Sequence, residues 1–520
     1  MGVKNTIIKK YYLISCFILE NFFGNNTSET NTIMRLSYKI SHIAIAAMLI
    51  TGCGQQEKPA ETTPDIDTVV LSQNTIYLNQ DELPPANDVA RFLAGKPVDR
   101  FASVQNSDYY KDYAIKAQQQ WTELKAKTLN PIGEWSKNNI PDFYNDTTCL
   151  FYPFGGPDLV FAFAFFPNES TYVLQGLENP GSLTMPDALT ESQTREYLDS
   201  LLYSYRYINR FGFFVASHMA DDFKNYALNG TIHLILYTLA MENCIITSYQ
   251  NVYIDQFGTL AASDGKPTKA PYGYKITFVR DGSSKPKTIV YLRMDASDPP
   301  LTGRFEFPYF INSYKEKICY LKSASYLLQN NEFTIMRKIL TDQCDRILQD
   351  ESGLSYAHVL KNYDVDIFGT YTRPMKVFSY YKQEDLKAAL EAKHSKALPF
   401  RIGYASQINE TVLMACRRKG KYPEIIAATQ PKETAGPVQQ FSGDTIYKVQ
   451  FKVSWNIIPD NDPSLKGLPG VDYYTDNSVY KYTVGAMKSE AECAQLLQQV
   501  RKKGFSDAFI VKFVNGQRIK

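Results

Sequence analysis

The sequence predicts a mixed α/β protein: a mixed α+β middle region followed by a small C-terminal α/β unit. Three observations carry this. Helical and strand-like apolar patterns alternate through residues 69–429. The last 76 residues, 445–520, switch between period-two strands and one long amphipathic segment. Between them, residues 430–444 are rich in Pro, Gly and Gln and read as a linker. An apolar content of 44% is enough for a sizeable core, and no internal repeat is visible.

In the middle region, helices are predicted from Asp108 to about Lys127, after the capping-box spacing Thr190-Glu191-Ser192-Gln193, at 318–329 and at 333–348. Strands are predicted at 148–153, 171–174, 274–279 and 288–294, the last two forming a hairpin around Asp281, Gly282 and Ser283. The region makes one large domain or two smaller ones. Its cysteines (149, 244, 319, 344, 416), with Cys493 in the tail, are widely spaced, without a C-x-x-C, and read as buried thiols ahead of disulfides.

In the tail, Tyr447, Val449, Phe451 and Val453 share one strand face, and Lys448, Gln450 and Lys452 the other. Tyr480, Tyr482 and Val484 alternate in the same way with Val479, Lys481 and Thr483. A helix from about Ser489 to Lys503, stopped by Gly504, presents Ala491, Ala494, Leu497 and Val500. These elements predict an antiparallel four-stranded sheet covered by the helix on one face, its polar face open. The tail holds eleven Lys and Arg against seven Asp and Glu, net +4, where the whole chain is +2.

The order of these elements, the Val449-Gln450 pair and the YKYTVG of 480–485 resemble the SPOR domain, a family that binds bacterial cell-wall glycan. The resemblance covers residues 445–520 and implies a peptidoglycan-binding role. It places the ligand contacts at Gln450, at Lys481 four positions before Gly485, at Phe509 in the last strand and at Val479, where the family often has an aromatic residue. Residues 455–470, rich in Pro, Asn and Asp, replace the family's first helix with at most a short turn; similar shortened forms occur in lipoproteins of the Bacteroides group (Bacteroidetes).

At the other end, Met34 opens a signal-peptide pattern over 34–52: basic Arg35 and Lys39, an apolar run 40–50, then Ile50-Thr51-Gly52-Cys53, similar to a bacterial lipobox. The run is too short to span a bilayer. Residues 1–33 read as a mis-assigned start. Cys53 would carry the lipid, with 53–68 a polar tether, and Gly54 favours the outer membrane, facing the periplasm. The expected partners are the membrane, through that lipid, and peptidoglycan; no nucleic acid, cofactor or metal is expected.

Candidates for catalysis are sparse. The turn Phe154-Gly155-Gly156-Pro157-Asp158 reads first as structural. Glu351-Ser352 is similar to the Glu-Ser of lytic transglycosylases, but no G-L-M-Q follows. His218 and His233 lack metal-ligand spacing, and neither G-x-S-x-G nor G-x-x-x-x-G-K occurs. No catalytic residue is therefore assigned. Two readings stand: an envelope lipoprotein that tethers its middle region to peptidoglycan, or a cell-wall or glycan-active hydrolase delivered there by its tail. Convergence of Asp158, Asp350 or Glu351 on one groove would favour the second; scatter over turns and caps would remove it.

Overall fold

The computed structural model describes residues 83–144, 148–211, 228–371, 374, 376–405, 410–420, 445–454, 458, 462–476, 479–514 and 517–519. The lipobox with Cys53, the tether, the linker and His218 lie outside them.

Ten strands of the middle region form one sheet: β1 (Cys149–Tyr152), β2 (Thr171–Gly176), β3 (Cys244–Ile254), β4 (Leu260–Ala262), β5 (Tyr272–Arg280), β6 (Lys287–Arg293), β7 (Lys317–Leu321), β8 (Arg346–Gln349), β9 (Tyr363–Gly369) and β10 (Val412–Arg418). Their spatial order is β4-β3-β5-β6-β2-β1-β7-β8-β10-β9. The five central strands, β6 to β8 in that order, are parallel, and antiparallel strands flank them on both sides. From β1 the chain moves to β2 on one side; β7 and β8 are added on the other. The order of strands therefore reverses between β1 and β7.

Helices cover both faces. Leu150 and Tyr152 of β1 join one core with helices such as Pro85–Leu93, Asp108–Leu124, Leu159–Phe165, Glu191–Phe211 and Ile232–Met241. Cys149 and Phe151 point the other way, into a core with Glu306–Asn312, Thr334–Gln343, Tyr356–Asn362 and Glu384–Ala392. Central strands in such a sandwich are buried on both sides and lose alternation. Every residue of β1 and of β7 is buried.

The four strands expected in the middle region form, and β5 and β6 pair as the expected hairpin. The capping box closes reciprocally: the Thr190 amide donates to Gln193 Oε1 at 2.9 Å, and the Gln193 amide to Thr190 Oγ1 at 3.3 Å. Asp108 is the first residue of its helix, not its cap; Ser107 holds the cap position. The helices expected at 318–329 and 333–348 are corrected. Residues 317–321 are β7, 324–329 a 3-10 turn, 334–343 a helix and 346–349 β8. A short continuous apolar run such as Ile318-Cys319-Tyr320-Leu321 suits a buried parallel strand as well as a helix, and burial on both faces decides it. All six described cysteines are buried free thiols.

The tail forms a second sheet, of β11 (Thr445–Ser454), β12 (Val471–Asp476), β13 (Val479–Met487), β14 (Phe509–Val514) and β15 (Gln517–Ile519), ordered β12-β13-β11-β14-β15. All neighbours are antiparallel. It has five strands where four were expected, because the chain turns back after Val514 and Lys512–Val514 pair with Gln517–Ile519. A 3-10 turn at Pro463–Leu465 stands where a short turn was expected. The helix is Glu490–Lys502, with the Ser489 hydroxyl accepting from the Glu492 amide and Gly504 at φ +89° beyond its end. Ala491 and Ala494 are exposed. The helix lies instead on Cys493, Leu496, Leu497 and Val500, spaced i, i+3, i+4, i+7, against Val449, Val484 and Ile510.

Candidate functional site

In the tail, Gln450, Lys481 and Phe509 share one face. Gln450 on β11 lies directly opposite Thr483 on β13 and Phe509 on β14, and Lys481 is two residues along from Thr483. Val479 is the first residue of β13, opposite Asp476 of β12. The expectation that this face is open is corrected: Gln450 and Lys481 are each 4% exposed. The Tyr474 hydroxyl donates to Gln450 Oε1 at 2.6 Å, and its ring meets Phe513 edge-on at 5.1 Å. The Lys481 ammonium stands 4.7 Å from the ring centre of Tyr309, on the middle region's helix Glu306–Asn312, and 5.9 Å from that of Tyr474. Tyr474 of β12 and Tyr309 of the middle region thus close over the polar face.

The denser cluster lies in the middle region, at the carboxyl ends of β1, β7 and β8. Each strand ends in a turn that carries polar groups. After β1, Asp158 caps the helix Leu159–Phe165, accepting from the Phe161 amide at 3.3 Å and from the Tyr152 hydroxyl at 2.8 Å. After β7 come Lys322 and Ser323. Lys322 Nζ lies 2.5 Å from Asp158 Oδ2 and 3.7 Å from the ring centre of Phe161. After β8 come Asp350, Glu351 and Ser352. One carboxylate oxygen of Asp350 accepts from the Ser352 amide at 2.9 Å and from the Ser352 hydroxyl; the other accepts from the Ser323 amide at 3.1 Å. The Tyr326 hydroxyl donates to Glu351 at 3.3 Å. Tyr326 in turn heads an aromatic stack with Phe378, Tyr381 and Tyr404.

The local sequence explains these positions. After Lys317, β7 is continuously apolar through Leu321, so the next polar residues, Lys322 and Ser323, fall where the strand ends. Gly403, at φ +60°, passes so close to Asp350 that a Cβ there would sit 2.3 Å from Oδ2. Burial governs the electrostatics. It pushes the Lys322 ammonium down, against the opposing pull of Asp158, and pushes Asp350 up. Glu351 is raised to about 8, by burial first and then by the neighbouring Asp350 charge.

Asp158, Asp350 and Glu351, expected either to converge on one groove or to scatter over turns and caps, lie in turns at neighbouring strand ends, linked through Lys322 and Ser323; all three are buried, and Asp158 is also a helix cap. Lys322, Ser323, Tyr326 and Gly403 were not singled out in the sequence. Their signal was polar residues directly after a short apolar run, which a helical reading of 318–329 hides. His233 belongs elsewhere: it is buried beside the Tyr197 hydroxyl at 2.6 Å, and burial lowers it to about 3. Among the described residues no group of His, Cys, Asp and Glu is arranged to hold a metal ion, and no helix is long and apolar enough to cross a membrane.

Fold and site together define a three-layer α/β/α protein with a buried polar cluster at the reversal of its strand order, followed by an antiparallel tail sheet. Compared with known families, curated proteins and solved structures, the chain matches none.

Proposed function

We propose that this chain is a cell-envelope lipoprotein, anchored through Cys53, whose residues 445–520 bind the glycan strands of peptidoglycan and hold the middle region at the cell wall. One observation supports this best: Gln450, Lys481 and Phe509, expected as contacts, stand side by side on β11, β13 and β14. An amide that donates and accepts, an ammonium that only donates and an apolar ring suit the carbonyl, hydroxyl and ring faces of a polysaccharide. Two weak anchors, lipid and glycan, on one chain hold far better than either alone. The test is co-sedimentation of the full chain with purified peptidoglycan sacculi. Binding that falls in Gln450→Ala/Lys481→Ala supports the assignment. Equal binding by the double variant discards the site, and no binding by the parent chain discards the function.

A second reading, that the middle region is itself a cell-wall hydrolase, is favoured by the gathering of Asp158, Lys322, Asp350 and Glu351 at the carboxyl ends of parallel strands. Open α/β sheets bind their ligands in the crevice where strand order reverses. Buried ionisable groups gathered in such a place are a signature of active sites.

A further inference from the structure

We propose that Ser323 is the nucleophile of an acyl-transfer site at the carboxyl ends of β1, β7 and β8, acting on a substrate with an ester or amide carbonyl. The proposal rests on the second reading only in taking the middle region as catalytic, and is independent of glycan binding by the tail.

Ser323 has φ +64° and ψ −92°, in a region that non-glycine residues rarely enter. It occupies the sharp turn between the end of β7 and the 3-10 turn Ala324–Gln329. Backbone strain of this kind persists only where the surroundings enforce it, and it gathers at functional sites. A serine on a strained strand-to-helix turn at the carboxyl edge of a mostly parallel sheet is how a hydroxyl is presented for nucleophilic attack. Here the enforcing group is Asp350, which accepts the Ser323 amide and is itself fixed by Ser352.

Ser323 is 6% exposed, and among the described residues its Oγ has no hydrogen-bond partner; nor has the buried Tyr320 hydroxyl, two strand residues before Lys322. Buried hydroxyls are nearly always paired, so the unpaired Ser323 Oγ on this turn calls for a bound partner. The neighbouring carboxylates are not equivalent. Asp158 is occupied by Tyr152, the Phe161 amide and Lys322, and Asp350 by Ser323 and Ser352. Asp158 and Asp350 are thus positioning residues. Among the described residues Glu351 accepts the Tyr326 hydroxyl, and its raised proton affinity suits a group that takes and returns a proton near neutral pH.

The chemistry balances with these groups. Ser323 Oγ adds to the carbonyl carbon, and the π pair moves onto the carbonyl oxygen. The hydroxyl proton passes, through a water, to the ionised Glu351. Collapse of the tetrahedral intermediate expels the alcohol or amine, which takes that proton, and leaves Ser323 acylated. Water adds to the acyl carbon by the same route, giving the acid and restoring the hydroxyl.

The test is covalent labelling of the full chain with a fluorophosphonate, which loses fluoride as the serine oxygen bonds to phosphorus. Mass spectrometry of the folded protein should place one adduct on the peptide holding Ser323. Its rate should rise with pH to a plateau above an apparent pKa near 8 and fall roughly a hundredfold in Glu351→Gln. Ser323→Gly, which accepts φ +64° without strain, should fold, melt at a higher temperature than the parent and take no label. An unlabelled folded parent, or an adduct on another residue that persists in Ser323→Gly, overturns the proposal. Intact labelling with no sacculus binding would strike only the reading of the tail.

Discussion

Lys322 Nζ and Asp158 Oδ2 are 2.5 Å apart, with both side chains almost wholly withdrawn from water. They come from turns after β7 and β1, the two strands between which chain order reverses. A buried pair is a poor source of net stability, since desolvation consumes most of the attraction, but removing one partner strands the other charge. Asp158→Asn and Lys322→Met should therefore each destabilise by about 3–5 kcal/mol. The double variant Asp158→Asn/Lys322→Met should lose less than the sum of the two single losses, because neither charge is left unpaired. Urea unfolding of the four proteins gives the cycle; additive losses would mean that the two groups do not act as a pair.

Gly403 bears on the same cluster from its far side. Its φ of +60° is strained for any side chain, and a Cβ would stand 2.3 Å from Asp350 Oδ2. Gly403→Ala should cost about 1–3 kcal/mol through the backbone and push Asp350 off the Ser323 amide. The thermal midpoint and the fluorophosphonate rate read the two effects separately. A variant that melts lower but labels at the parent rate would show that Asp350 does not set the Ser323 turn.

Glu351 makes stability depend on pH in a direction opposite to that of an ordinary salt-bridged acid. Its native pKa, about 8, lies above its ordinary value of 4.5. Between those values the native chain holds a proton that the unfolded chain has released, so stability falls as pH rises from 4.5 toward 8 and levels off beyond. One such group gives a slope of at most about 1.4 kcal/mol per pH unit. Glu351→Gln should flatten that part of the curve, and the advantage of the variant over the parent should be larger at pH 8 than at pH 5. Urea midpoints at the two values decide it; an equal difference at both would mean that Glu351 is ionised throughout.

Much of the fold was legible, for identifiable reasons. β2, β5 and β6 were found as strand-like runs between turn residues, and the hairpin of β5 and β6 through its Asp-Gly-Ser turn. The Thr190–Gln193 capping box was legible because it is a contact between near neighbours. β7 was not, because a strand buried on both faces has no period. In the tail helix, Ala491 and Ala494 counted as apolar by type, but the surface that binds a sheet is set by the larger Leu496, Leu497 and Val500. Asp158, Asp350 and Glu351 could each be singled out, yet their meeting depends on β7 and β8 being added beside β1, which no local pattern encodes. Placing Gln450 opposite Phe509 needed only register. That Tyr474 and Tyr309 cover the face needed the third dimension.

That cover sets the last prediction. Gln450 hydrogen-bonds Tyr474, and Lys481 lies against Tyr309, so a glycan reaching these groups must displace two rings. A cation–π contact of this kind contributes about 0.5–1 kcal/mol at an exposed site and roughly 2 when desolvated. Tyr309 belongs to the middle region, so its truncation leaves every residue of the tail in place. If residues 445–520 bind glycan through this face, Tyr309→Ala should tighten sacculus binding by about 2- to 30-fold, the equivalent of that contact. Tyr474→Ala has mixed consequences, because it frees Gln450 but removes a ring that could stack on a sugar; Tyr309→Ala is therefore the cleaner variant. Binding of Tyr309→Ala equal to the parent's would mean that the ring does not compete with glycan, and that ligand approaches the tail from somewhere other than the Gln450–Lys481 face.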